Sequence, residues 1–197
     1  MSRRQLAAPG AAVDEWLGPG AMTERSSNGI EGTLHVDGGT GVVRLRARYP
    51  TDVSGLWSVI TDPQRLGLWY GTIEGELRVG GEFTLAVFAS GWRGRGRVDM
   101  CHPPHSLEVT MWSEEGARSV IKAELTEAGG ETILQLERSD VPLDLLWAFG
   151  AGWHEHLEDL GALVGGRECA DWSARGDVRF DELASLYRQL PVTAIER

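Results

Sequence analysis

The sequence contains few cysteines and no long apolar run. Its two cysteines, Cys101 and Cys169, lie far apart and form no CxxC motif, so they indicate neither a disulfide framework nor a zinc knuckle. No segment approaches the roughly 18 uninterrupted apolar residues of a membrane-spanning helix, and the first residues lack the apolar core of a signal peptide. We therefore expect a cytoplasmic protein without a membrane span.

Positive charge is also scarce. The 197 residues include 19 Lys and Arg against 29 Asp and Glu, which gives a net charge of −10. An excess of negative charge disfavours phosphate backbones and anionic membranes as partners. We therefore expect no nucleic-acid partner. The length suits one domain of ordinary size, which can build a core without disulfides.

Catalytic sequence motifs are missing as well. No Ser-His-Asp order, GxSxG elbow, P-loop or HExxH motif occurs. The glycines of 91–96 spell GxxGxG, but they lie within a predicted strand that no helix follows, which argues against a nucleotide site. His102 and His105 bracket two prolines, and a metal site there would need another ligand, for which Cys101 is the only neighbour. We predict no metal and no cofactor.

The sequence does contain strands that alternate with a period of two. Within 43–49, arginines alternate with Val43, Leu45, Ala47 and Tyr49, and within 92–98 they alternate with Trp92, two glycines and Val98. A strand patterned in this way has one charged face and one apolar face. The apolar face carries almost no ionisable side chain, so we predict an apolar interior suited to binding rather than to acid–base or metal chemistry.

Turn residues divide the chain into further elements. A glycine-rich turn at 37–41 predicts a hairpin of 34–36 with 42–49, and short turns join six more strands into an antiparallel meander. The predicted strands are 73–79, 82–88, 92–100, 106–112, 118–126 and 131–138. The alternation predicts these inward side chains: Phe83, Leu85, Val87, Trp92, Val98, Met100, Leu107, Val109, Met111, Ile121, Ala123, Leu125, Leu134 and Leu136.

Helical spacing of apolar residues predicts two short helices, 52–60 and 63–68, and a long helix, 144–164. The long helix should lie across the apolar face of the sheet. A last amphipathic helix at 179–190 should dock on the body through Phe180, Leu183, Tyr187 and Leu190. We expect a loosely ordered N-terminal extension (1–28), a central domain (29–166) and a C-terminal extension (167–197).

Five phrases in this order resemble the SRPBCC (START-like, Bet v-like) superfamily. They are 56–63 followed by Trp69, then 75–83, Pro103-Pro104, 129–132, and Gly152-Trp153 with Leu157 and Leu160. Within the superfamily they are similar to the branch related to the C-terminal domain of the activator of heat-shock protein 90 ATPase. The resemblance implies an α+β helix-grip fold, in which a curved antiparallel sheet wraps a long C-terminal helix around a cavity. The superfamily includes lipid carriers, hormone receptors, polyketide cyclases and co-chaperone domains, so the fold alone does not decide the function.

The predicted site is the space between sheet and long helix. His156, at the edge of the inward stripe, is the best candidate for a polar anchor in the sequence, although a rim histidine hydrogen-bonded to the sheet or to water is the commoner role for such a residue. His154 should point further toward solvent and pair with Glu158. Small residues at Gly94, Gly96 and Gly150 leave either a void or an interdigitated seam. The candidate ligand-binding residues are Trp69, Phe83, Leu85, Trp92, Val98, Met111, Phe149, Trp153 and His156.

Three functions fit this sequence. The first is binding of a small hydrophobic or aromatic molecule in the cavity. The second is a cyclase or aromatase acting on a polyketide-like substrate, which is weakened by the shortage of inward acids and bases. The third, implied by the resemblance, is a module that interacts with a chaperone through its outer surface. The sequence leaves open whether the chain forms a homodimer.

Overall fold

The computed structural model describes residues 16–17, 22–23, 29–169 and 178–195. Most of the predicted N-terminal extension and part of the C-terminal one therefore lie outside the described residues. The strands are β1 (Met22–Thr23), β2 (Glu31–Asp37), β3 (Thr40–Tyr49), β4 (Gly71–Gly75), β5 (Glu82–Val87), β6 (Arg93–His102), β7 (Ser106–Ser113), β8 (Arg118–Ala128), β9 (Glu131–Val141) and β10 (Val192–Ala194). The helices are α1 (Val53–Thr61), α2 (Pro63–Leu66), a 3-10 turn (Leu143–Leu145), α3 (Leu146–Val164) and α4 (Val178–Tyr187).

These strands form a single sheet in the order β1-β2-β3-β9-β8-β7-β6-β5-β4. Neighbours along this path are antiparallel, and β10 adds a parallel strand beside β2. The last strand of the meander, β9, pairs with β3, so the N-terminal hairpin and the meander form one continuous sheet. Helix α3 packs on the inner face, and the Tyr49 hydroxyl donates to the Leu157 carbonyl oxygen at 3.0 Å. The predicted α+β helix-grip fold is confirmed.

Local sequence explains where the short helices begin. Asp52 caps α1 by accepting a hydrogen bond from the Gly55 amide at 2.6 Å. Asp62 ends α1 and caps α2, accepting from the amides of Gln64 and Arg65, and Pro63 occupies the first helical position. The two helices therefore begin close to the predicted positions, with α2 ending two residues earlier than expected.

The predicted orientation of the alternating arginines is confirmed, but one part of their face is covered. Arg93, Arg95 and Arg97 are exposed on the outer face of β6. On β3, by contrast, Arg46 is only 6% exposed and pairs with Glu31 at 3.1 Å. Arg44 donates to the carbonyl oxygen of Trp16 at 2.9 Å, so N-terminal residues cover this part of the sheet. An alternating strand is expected to expose its charged face to water, and that expectation is wrong at this part of β3.

A β-bulge in β6 changes which residues face inward. Val98 pairs with Val109, but Met100 pairs with Glu108 and Cys101 with Leu107, so Asp99 is an extra residue. One added residue reverses the alternation beyond it. The prediction that Met100 faces the interior is therefore wrong, and Cys101 takes that place. Strand β4 also differs from the prediction, because it ends at Gly75 rather than continuing to residue 79.

The C-terminal helix is built into the core. Leu183 and Tyr187 of α4 are fully buried, while Phe180 and Leu190 are partly buried against the same core, as expected from their spacing. Tyr187 lies between two glycines: a Cβ atom at Gly32 would overlap its hydroxyl oxygen, and one at Gly150 would overlap its ring. Among the residues that the structure describes, no helix combines the length and apolar character needed to cross a membrane.

Candidate functional site

Two cavities lie between the sheet and helix α3. Cavity A has a volume of about 550 Å³ and cavity B about 140 Å³. The nine candidate residues are distributed over both: Trp92, Phe149 and His156 line cavity A, Trp69, Phe83, Leu85 and Val98 line cavity B, and Met111 and Trp153 line both. The structure thus brings all nine to the predicted space, and their role in binding stays a prediction.

The three glycines do not create this space. A Cβ atom at Gly94 would overlap the Trp92 ring, one at Gly96 would overlap the Phe83 ring, and one at Gly150 would overlap Tyr187. Of the two alternatives that the sequence left open, the structure therefore shows the interdigitated seam at these positions. Gly152 is different: it lines cavity A, and a Cβ atom there would meet only Phe180, at 4.0 Å.

An aromatic cluster separates the two cavities. Tyr70 lines both cavities, as Trp153 does, and the two rings stack with centroids 5.3 Å apart. His156 meets the same rings edge-on, at 4.9 Å from Tyr70 and 5.8 Å from Trp153. Trp69 packs beside Tyr70, and its indole donates to the Val59 carbonyl oxygen at 3.2 Å, which fixes the ring. These contacts form a rigid aromatic wall on which a flat ligand could stack.

His156 lies in this wall as a neutral side chain. Burial lowers the pKa of His156 to about 3, and the nearby charge of Arg138 contributes in the same direction. A neutral imidazole offers one donor and one acceptor rather than a charge. Burial likewise raises the pKa of Tyr70 to about 12, so this phenol stays protonated at neutral pH.

His154 does not point toward solvent, so that prediction is wrong. It is fully buried beneath α4 and shares a hydrogen bond of 3.1 Å with the Tyr187 hydroxyl. The expected proximity to Glu158 is present, at 3.7 Å. Burial lowers the pKa of His154 to about 4, and Glu158 opposes that shift. Periodicity within α3 could not reveal this environment, because the cover comes from a helix more than twenty residues away in sequence.

Arg138 is the functional candidate that the sequence analysis missed. It continues the inward alternation of Leu134 and Leu136 on β9 and lines cavity A. Its guanidinium donates to Ser119 Oγ at 3.0 Å and lies over the Phe149 ring, 4.3 Å from the centroid. Burial lowers the pKa of Arg138. The period of two, carried one step past Leu136, would have identified it.

Cavity A is therefore less apolar than predicted. Besides Arg138 and His156, it is lined by Glu155, which is only 5% exposed. The expectation that the inner face carries almost no ionisable group is wrong at this end of the cavity, although cavity B remains almost wholly apolar. Arg93 does not reach cavity A, because it lies on the outer face in a groove with Glu74 and Arg95.

The structure also locates the histidines considered for a metal site. His102 and His105 lie in the β6–β7 turn, where His105 donates its backbone amide to the His102 carbonyl oxygen at 2.8 Å. Within the described ranges, no three His, Cys, Asp or Glu side chains come together as a metal-binding group.

Residues 50–165, more than half of the chain, match the family model for activator of Hsp90 ATPase homologue 1-like proteins. The chain belongs to this family. The matched segment contains every candidate ligand-binding residue and Arg138, whereas the β2–β3 hairpin, α4 and β10 lie outside it. The comparison with curated proteins gave no match.

Solved structures share the fold. The crystal structure of CalU16 from Micromonospora echinospora is 27% identical, with a TM-score of 0.67 over 81% of this chain and 96% of CalU16. DynU16, a protein in the dynemicin biosynthetic locus, is 24% identical, with a TM-score of 0.60 over 66% of this chain and 50% of DynU16. PFC0360w, an HSP90 activator from Plasmodium falciparum, is 21% identical, with a TM-score of 0.55 over 63% of this chain and 96% of its own.

Proposed function

We propose that the protein binds a small, largely apolar molecule with an aromatic portion in cavity A. The observation that carries the proposal is a cavity of about 550 Å³ between the sheet and α3, walled by Trp92, Phe149 and Trp153. Ligand sites of roughly 300 to 1,000 Å³ with apolar walls and a few polar groups are typical of small-molecule binding proteins. The family fold also fits a ligand-binding domain.

The affinity should depend on more than apolar contact. Burying on the order of 300 Å² of ligand gains roughly 7 kcal/mol at about 25 cal/mol per Å², while association costs at least about 4 kcal/mol. Apolar burial alone therefore supports only weak binding. The polar groups at the α3 and β9 walls, His156 and Arg138, would supply the remaining affinity and fix the orientation.

Gly152 offers a direct test. In a fluorescence titration with the neutral probe N-phenyl-1-naphthylamine, the wild type should bind, and Gly152→Leu should bind at least about tenfold more weakly because its side chain fills cavity A. Gly152→Ala is the matched control and should bind like the wild type, since a single methyl group meets only Phe180 at 4.0 Å. Equal binding by Gly152→Leu, or no binding by the wild type, would overturn the proposal.

A cyclase-like enzyme is the second candidate, because Glu155, His156, Tyr70 and Arg138 now line the cavity. Two of these groups are poorly suited to proton transfer at neutral pH. His156, with a pKa of about 3, is a poor proton acceptor, and Tyr70, with a pKa of about 12, stays protonated. Turnover of a polyketide-like substrate that is lost in His156→Ala would favour the enzyme over simple binding.

Family membership also supports a chaperone partner. Such a function would use the outer surface, so substitutions that fill cavity A would leave it unchanged. A pull-down that retains Hsp90 equally on wild type and on Gly152→Leu would favour this candidate.

A further inference from the structure

We propose that Arg138 is a recognition site for a carboxylate, so that the ligand of cavity A is an aromatic acid. This inference rests on the proposed function and adds the chemical class of the ligand. The observation behind it is an arginine on the inner wall of an otherwise largely apolar cavity, without an acidic partner among the residues that the structure describes.

The other arginines with restricted exposure show the contrast. On β3, Arg44 pairs with Glu137 at 2.8 Å and Arg46 with Glu31 at 3.1 Å. On α4, Arg179 pairs with Glu158 at 2.5 Å. Within the described part of the chain, Arg138 has a serine hydroxyl and an aromatic face as its partners instead. Since a charge held away from water is unfavourable unless it is paired, the cavity space beside this guanidinium suits an anion.

The donors of Arg138 are also incompletely used. Nη2 donates one N–H to Ser119. Nε has no hydrogen-bond partner among the described residues but is closed off from the cavity, so a ligand would use the remaining N–H groups of Nη1 and Nη2. The Phe149 ring covers one face of the guanidinium plane, which orients that plane. A planar guanidinium fixed in this way presents a fork of donors that matches the two oxygens of a carboxylate.

The residues around Arg138 favour a ligand that carries a single negative charge on an apolar body. Glu155 is the other charged residue that lines cavity A, and the contacts of Arg138 within the described residues are with Ser119 and Phe149. His156 is neutral, so Arg138 is the cation of this wall. One cation balances a carboxylate, whereas a phosphate dianion would remain partly uncompensated in a largely apolar space. The neighbouring rings of Phe149 and Trp153 would take the aromatic portion.

A matched pair of probes tests the proposal. Isothermal titration at neutral pH would compare 1-naphthoate with 1-naphthamide, which has nearly the same shape but no charge. The wild type should bind naphthoate about tenfold to a hundredfold more tightly, as expected for hydrogen bonds to a charged group. Arg138→Gln should abolish the preference, so that naphthoate binds no more tightly than naphthamide. Arg95→Gln, at an exposed arginine of the outer face, should preserve the preference.

The outcomes separate this inference from the proposed function. Equal binding of the two probes by the wild type, or a preference that survives in Arg138→Gln, would overturn the carboxylate site and leave cavity binding intact. Binding of neither probe would overturn both proposals. The comparison of probes on the wild type needs no variant, so the test holds even where Arg138→Gln fails to fold.

Discussion

Two glycines of the same helix should respond in opposite ways to replacement by alanine. Gly150 and Gly152 both lie within α3, but they face different surroundings. A Cβ atom at Gly150 would lie 2.6 Å from Cε1 of Tyr187, whereas one at Gly152 would meet Phe180 only at 4.0 Å. We therefore expect Gly150→Ala to destabilise the protein and Gly152→Ala to stabilise it.

The magnitudes follow from two competing effects. Alanine is better than glycine within a helix by about 1 kcal/mol, which is the full expected gain for Gly152→Ala. Overpacking a core costs about 1 to 3 kcal/mol. The upper end applies at Gly150, because the Tyr187 ring is fully buried, hydrogen-bonded to His154 and confined by Gly32 on its other side. The net loss for Gly150→Ala is then about 2 kcal/mol.

Thermal unfolding followed by circular dichroism measures both effects. For a chain of this size, each kcal/mol shifts Tm by about 2 to 4 °C, so Gly152→Ala should raise Tm by about that amount and Gly150→Ala should lower it by about 4 to 8 °C. In a Tyr187→Ala background, Gly150→Ala should no longer be harmful. A Gly150→Ala protein as stable as the wild type, or a loss that persists without the Tyr187 ring, would refute the packing argument.

Two further predictions concern the buried histidines. Burial lowers the pKa of His154 to about 4 and that of His156 to about 3, so the unfolded chain binds these protons first as the pH falls. The free energy of unfolding should therefore be constant just above pH 7 and fall between about pH 6.5 and pH 4, by up to about 1.4 kcal/mol per pH unit for each histidine. Denaturant titrations at a series of pH values measure this dependence. His156→Gln should make the slope shallower, and a flat wild-type profile would contradict the assigned burial. Tyr187→Phe keeps the ring but removes the hydrogen bond to His154, so it should cost about 1 to 3 kcal/mol in the same titrations, and an unchanged midpoint would show that this hydrogen bond contributes nothing.

The strand pattern was predictable because alternation is a local property. Within β3, Leu45 and Tyr49 had to share a face opposite Arg44 and Arg46, whatever the rest of the chain did. The same pattern contained Arg138, two residues beyond Leu136, so its inward position was present in the sequence and was overlooked.

The bulge in β6 could not be predicted from the alternation. Val98, Asp99, Met100 and Cys101 fit an uninterrupted strand as well as a bulged one, and only the pairing with β7 shows where the extra residue lies. The burial of His154 was equally hidden, because the α3 stripe does not show which distant helix covers its other side.

The sequence by itself determined which residues form each element, where α1 and α2 begin, and which face of most strands is apolar, since capping and periodicity act between near neighbours. Only the tertiary structure decided that aromatic rings occupy the space beside Gly94, Gly96 and Gly150, and that the open cavity lies beside Arg138 and His156. Volume and charge balance in a cavity depend on side chains brought together from distant segments, and no local pattern contains their sum.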